Sequence, residues 1–241
     1  MSIAPASAAM HMRDAARGGD AAAQATLGQL YLDGHGVPRD AAEGFYWFQE
    51  AAHRGVPMAM NMVGRCHENG WGTQIDHDRA AAWYRRAADH GLDWGFYNLA
   101  HAHARGRGVA KDVSRAYALF AHAASMGHAR AMYFVGHYCE HGLSVPVDLT
   151  RACALYKQSS ELGDYRGRCA WASVLAGRGQ VVDAAALLQA AIPDAPAHFL
   201  EPLAGALDAS PHPMLHDIAT QIRASGRLKA QRVGSTAKVG G

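Results

Sequence analysis

The 241-residue chain is short of strand-forming residues: aromatics are only 8% of it, β-branched residues are sparse, and about one residue in five is alanine. That balance excludes a predominantly β fold and favours helices. Long hydrophobic runs are also missing. Nowhere do 18 consecutive apolar residues occur, and Met1 to Arg13 lacks the basic and apolar regions of a signal peptide, so the expectation is a cytoplasmic protein with no membrane partner. Cysteine is scarce: Cys66, Cys139, Cys153 and Cys169 show neither C-x-x-C spacing nor an even ladder of pairs, and read as small buried hydrophobes. Charge of one sign is lacking too. The formal net charge is +2, but Arg227, Lys229, Arg232 and Lys238 follow Gly226 with no acid beside them. Setting those four aside, the 23 basic groups fall below the 21 acidic ones, and no nucleic-acid partner is expected.

What is present is a globular composition, 49% hydrophobic and 18% charged, and an internal repeat. Leu27-Gly28, Val63-Gly64, Leu99-Ala100 and Val135-Gly136 lie 36 residues apart without an insertion. The same register carries Gly34, Gly70, Gly106 and Gly142, then Asp40, Asp76, Asp112 and Asp148. It continues with Trp47, Trp83, Leu119 and Leu155, with Phe48, Tyr84, Phe120 and Tyr156, and with the small pairs that begin at Ala51, Ala87, Ala123 and Ser159. Gly55, Gly91, Gly127 and Gly163 close the units.

Each unit reads as a helical hairpin. In the first, helix A spans roughly Asp20 to Asp33, its apolar stripe running through Ala23, Leu27, Gly28 and Tyr31. Ala23, Ala59, Gly95, Ala131 and Gly167 are all small, which predicts a close approach of two helix backbones there. Gly34 and its counterparts stop helix A, while Gly36, Gly72 and Gly108 allow the turn. Asp40 is placed to cap helix B, with Glu43 completing a capping-box pattern.

The resulting organisation is an N-terminal capping helix in 1–19, four repeats at 20–55, 56–91, 92–127 and 128–163, and a shortened fifth at 164–192. Two terminal capping helices follow in 193–225, as a repeat array needs for solubility, and then a basic disordered tail in 226–241.

This register resembles the Sel-1-like repeat, a branch of the tetratricopeptide-like helical repeats. Its pattern is met by Ala23, Leu27, Gly28, Tyr31, Gly34, Gly36, Val37, Asp40, Trp47, Phe48, Ala51, Ala52 and Gly55. Gly44 stands where the family has alanine, which Ala80, Ala116 and Ala152 keep, and the resemblance covers roughly residues 8 to 191. It implies an all-α, right-handed superhelical solenoid of antiparallel helix pairs. It further implies a non-enzymatic scaffold or adaptor that binds a peptide or protein in a concave groove lined by the A helices. Secreted relatives with one disulfide per repeat have been linked to β-lactam binding, but the paired cysteines that mark them are absent.

Gly34-His35-Gly36, Gly70-Trp71-Gly72 and Gly106-Arg107-Gly108 superficially suggest nucleotide loops, yet no strand precedes them and no G-K-[ST] follows. Neither a G-x-S-x-G elbow nor an H-E-x-x-H helix occurs, so no enzyme is expected. Histidine is the excess, with 15 in the chain. His137 and His141 are one helical turn apart with Glu140 between them, and His101 holds the position of His137 one repeat earlier. A metal site from His101, His137 and His141 is therefore the alternative reading, that of a metal-binding accessory to a metalloenzyme or metal-uptake system. Otherwise no cofactor is expected. His67 and His103 stand at the Tyr31 register and read as core or semi-buried.

Helix A positions off the packing stripe are chemically rich in the second to fourth repeats and bland in the first. The candidate groove residues are Asn61, Arg65, Trp94, Tyr97, Asn98, His101, Arg130, Tyr133 and His137, a set of aromatics, amides and arginines suited to holding an extended chain. Asn98 and Arg130 resemble part of the carboxylate clamp of co-chaperone tetratricopeptide domains, without its lysines. The alternative for Trp94, Tyr97, Tyr133 and Phe134 is packing between adjacent helices. Oligomeric state is not legible, although terminal helices favour a monomer.

Overall fold

A computed structural model describes the backbone of residues 5–237 and the side chains of residues 9–229. Among the described residues there are helices and no strands, and the chain divides into two compact units, the first ending at His128 and the second beginning at Ala129. None of these helices is long and apolar enough to cross a membrane.

The first unit opens with α1 (Pro5–Arg17), which packs against α2 (Ala21–Asp33). Three helical hairpins follow: α2 with α3 (Ala41–His53), α4 (Pro57–Asn69) with α5 (His77–Asp89), and α6 (Asp93–Arg105) with α7 (Val113–Ser125). Capping explains the boundaries. Asp40 Oδ1 accepts from the Ala42 and Glu43 amides, Asp76 from that of Arg79 and Asp112 from that of Arg115, so each B helix starts on an aspartate. The amide of each capping aspartate donates back to its own A helix, Asp40 to Tyr31 O, Asp76 to His67 O and Asp112 to His103 O, all at 2.9 Å. This bond displaces the expected capping box. With the Asp40 amide already committed, Glu43 turns outward along its helix and accepts from Trp47 Nε1 at 3.1 Å.

Small residues then let the hairpins close. A Cβ on Gly95 would stand 2.5 Å from the Ala88 amide nitrogen, the close approach that its register predicts. The turn glycines are more constrained still. At Gly72 (φ 68°) and Gly108 (φ 70°) a Cβ would sit 2.0 Å from Ala41 O and 1.8 Å from His77 O, so each turn rests on the first turn of the preceding B helix. Between them the hairpins bury Phe48 and Phe120 almost completely, each side chain contributing about 1.5 to 3 kcal/mol of transfer free energy.

In the second unit α8 (Ala129–His141) pairs with α9 (Leu149–Glu161), and α10 (Tyr165–Gly177) with α11 (Val181–Ala191). The last two helices, α12 (Ala197–Asp208) and α13 (Pro213–Ala237), pack on each other and α13 also covers α11. Leu188, Leu200, Leu215, Ile218 and Ile222 form the core of this end. The final helix runs past Ser225 to Ala237, beyond the boundary at which the sequence led us to expect a disordered tail; residues 238–241 lie outside the described residues. One tail cation has a structural task. Lys229 Nζ donates to the carbonyls of Ile192, Pro193 and Ala195 at 2.6, 2.8 and 2.6 Å, neutralising the carbonyl-rich end of α11.

Candidate functional site

On the A-helix side of the first unit lies a cleft of about 230 Å³. Gln29, Leu32 and Asp33 of α2 form one wall and Met62 and Arg65 of α4 the other, with Arg39 and Trp71 closing it from the turns and Ala41 from the start of α3. The Arg65 guanidinium lies over the Trp71 indole, 4.9 Å from the ring centroid, and one of its nitrogens sits 3.7 Å from Met62 Sδ. Arg39 is held by donation from Nε to Leu32 O at 3.0 Å, and Gln29 donates to Asp33 at 2.8 Å. Two fixed guanidinium groups, one carboxylate, an indole and two apolar side chains make a surface for a carboxylate with an adjoining hydrophobic group.

The rest of the expected groove in this unit is packed more tightly. Asn61 is buried, its Oδ1 accepting from Asn98 Nδ2 at 2.8 Å, so the two amides tie α4 to α6. Tyr97 is also buried, its ring against those of Trp94, His101, Phe120 and His128 at centroid distances of 5.6, 4.7, 5.8 and 4.7 Å. Trp94 is half-buried beside His128, whose Nδ1 lies 3.7 Å from Asp93. His101 is half-buried with its ring 5.0 Å from that of Phe120. Of the expected residues in this unit, the cleft includes Arg65 alone.

In the second unit, Arg130 Nε lies 3.5 Å from Asp164, the aspartate that caps α10. Tyr133 is half-buried, stacked parallel to His137 at 6.3 Å and tilted against Tyr156 at 5.8 Å. His137 and His141 lie with ring centroids 4.3 Å apart, and with Glu140 they offer one ligand atom each within 4.8 Å of one another. Burial and the neighbouring His141 both hold the His137 imidazole below its ordinary pKa.

Sequence reasoning missed two things here. It took the first repeat for bland, yet Gln29, Leu32 and Asp33 line the cleft, and it read Trp71 only as a residue between turn glycines. The available signal was that His35, Arg107 and Leu143 hold that register elsewhere, leaving Trp71 as the one aromatic. The second is the partner of the acids on the A helices. Glu68 accepts from Tyr84 Oη at 2.7 Å and Glu140 from Tyr156 Oη at 2.6 Å. Where the B helix carries Phe48 or Phe120 instead, the matching A position is Leu32 or Ala104. Burial and the adjacent carboxylate push both tyrosine hydroxyls well above their ordinary pKa.

His67 is the other buried polar group of note. Its ring meets Phe45 edge-on at 5.3 Å, its Nδ1 has no hydrogen-bond partner among the described residues, and burial lowers its pKa.

The Sel1 repeat pattern matches residues 21–56, 57–92, 97–128 and 129–164, more than half of the chain. The chain belongs to the Sel1 repeat family. The fold is accordingly an all-α helical-repeat solenoid of a family that serves as a protein-interaction scaffold. Among solved structures, the Sel1 repeat protein of Oxalobacter formigenes is 22% identical with a TM-score of 0.73, over 92% of this chain and 98% of that one. The protein c5321, a protective antigen present in uropathogenic Escherichia coli strains, is 25% identical with a TM-score of 0.68, over 93% of this chain. This Sel1 chain spans only 49% of the antigen's length. The immunity protein Pa5087 of Pseudomonas aeruginosa, 16% identical, shares the fold with a TM-score of 0.52 over 78% of this chain and 76% of that one. No curated protein matches the sequence.

Proposed function

We propose that this Sel1 repeat protein is a non-enzymatic adaptor that holds an extended segment of a protein partner on the A-helix side of its first unit, with a carboxylate of that segment at Arg65. The observation that carries the reading is the cleft between α2 and α4, where the Arg65 guanidinium lies over Trp71 with Arg39 on the same rim. At about 230 Å³ the cleft is smaller than the roughly 300 to 1,000 Å³ of a small-molecule site and takes one or two side chains. That size suits an anchor point along a longer peptide. Contact with the indole holds the guanidinium in place, so N–H bonds to a carboxylate form with little loss of side-chain freedom.

A hydrogen bond to a charged group contributes about 1.5 to 3 kcal/mol, so losing it weakens binding about 10- to 150-fold. The test is a selection of displayed peptides on the full chain, followed by fluorescence polarisation with the enriched sequences. Peptides carrying Asp, Glu or a free C-terminus are expected to win, and Arg65→Ala to lose at least tenfold in affinity with its helical circular dichroism unchanged. Enrichment without acidic character, or affinity indifferent to Arg65→Ala, would remove the proposal.

A further inference from the structure

We infer that the last turn of α8 is a divalent-metal site made by His137, Glu140 and His141 alone, with zinc the metal that its donor set suits. Two imidazoles and one carboxylate are a three-ligand set that leaves the fourth tetrahedral position to water or to a partner's side chain. Helical spacing puts all three on one face, and one ligand atom from each already lies within 4.8 Å of the others. Bound zinc needs its ligands about 3.3 Å apart, given metal–ligand distances of about 2.0 to 2.2 Å. Glu140 and His141 have side chains 43% and 51% exposed, which leaves their ends room to change rotamer by about an ångström.

The supporting groups are those a metal site uses. Glu140 is aimed by the Tyr156 hydroxyl at 2.6 Å, and His141 Nδ1 lies 3.0 Å from the His137 carbonyl oxygen. Donation from an Nδ1–H there would leave the lone pair on Nε2 for the metal. The second repeat is an internal control. It has the same aimed carboxylate, Glu68 held by Tyr84 at 2.7 Å, but Arg65 and Asn69 stand where the fourth repeat has His137 and His141. The Glu–Tyr pair is therefore a structural element of two repeats, and only the fourth surrounds it with donors. This site does not depend on the peptide cleft, which lies on α2 and α4.

The experiment titrates zinc, against a chromophoric chelator, into the full chain previously stripped with a chelating agent. One equivalent is expected to bind. His137→Arg and His141→Asn, which install the second repeat's own residues at that register, are expected to abolish it while the circular dichroism stays helical. Tyr156→Phe, matching Phe48 and Phe120 in the sister repeats, is expected to weaken it about 10- to 100-fold. Absence of a stoichiometric zinc, or zinc bound equally by these variants, would overturn the inference. Neither result touches the peptide cleft, whose test is the Arg65 affinity.

Discussion

Replacing Gly108 with alanine should be one of the most damaging single-methyl changes in the first unit, and Gly55→Ala measures how much of the damage is local backbone strain. Both glycines have positive φ, 70° and 87°, so an alanine at either pays the left-handed cost of about 1 to 2 kcal/mol. At Gly55 nothing lies within 4 Å of the added Cβ, and the cost ends there. At Gly108 the Cβ would sit 1.8 Å from His77 O, 2.3 Å from His77 C and 2.7 Å from Asp78 N. These are backbone atoms in the first turn of α5, so the turn must move off the helix by more than an ångström. Overpacking of this kind adds about 1 to 3 kcal/mol, giving roughly 2 to 5 kcal/mol in all. For a chain of this size each kcal/mol is about 2 to 4 °C, so Gly108→Ala should melt about 4 to 20 °C lower and Gly55→Ala about 2 to 8 °C lower. Thermal unfolding followed at 222 nm reads both. Equal losses would refute the idea that the turn glycines are required by contact between successive hairpins rather than by φ alone.

Further outcomes follow from the same geometry. Tyr84→Phe should cost about 1 kcal/mol by urea unfolding through loss of the bond to Glu68, and the double change Tyr84→Phe with Glu68→Leu should recover most of it, because the first repeat already pairs Phe48 with Leu32. His67 has its pKa lowered by burial, so the fold favours the neutral ring. Its contribution is intact above the unfolded value near 6.5 and is lost as pH falls through that value toward the folded one. His67→Tyr, the first repeat's residue, should therefore flatten the acid limb of the stability–pH curve. Cys66 and Cys169 have thiols pushed up to about 12 by burial, and in the native protein should be modified by a thiol reagent far more slowly than after unfolding. Lys229→Ala should destabilise the last helix by about 1 kcal/mol, seen as faster amide exchange in α13, since three carbonyls lose their donor.

The fold was legible because the residues that make it recur at one spacing. Asp40, Asp76 and Asp112 cap because each must, and Gly95 is small because Ala88 leaves no room. The candidate site was less legible, and for a physical reason. Helical periodicity says which face a residue is on, but not whether its neighbours leave it open. Asn61 and Tyr97 fall on the expected face, yet one is consumed by an amide–amide bond and the other by a ring cluster. Trp71 belongs to a turn, outside any helical phase, and its place over Arg65 depends on how the turn folds back. The extent of α13 is not legible, because Gly226 and the cations after it suggest a tail, while Lys229 bonds to three carbonyls more than thirty positions away.

Site-specific photo-crosslinking locates the bound peptide on the chain. A photoreactive residue placed at exposed Gln29, in the cleft wall, is to be compared with one at exposed Arg85 on the opposite helix of the neighbouring hairpin, each illuminated with a peptide selected on the wild-type chain. An adduct is expected from Gln29, lost when Arg65→Ala is added, and none from Arg85. Equal adducts from both positions, or an adduct from Arg85 alone, would contradict this placement of the peptide.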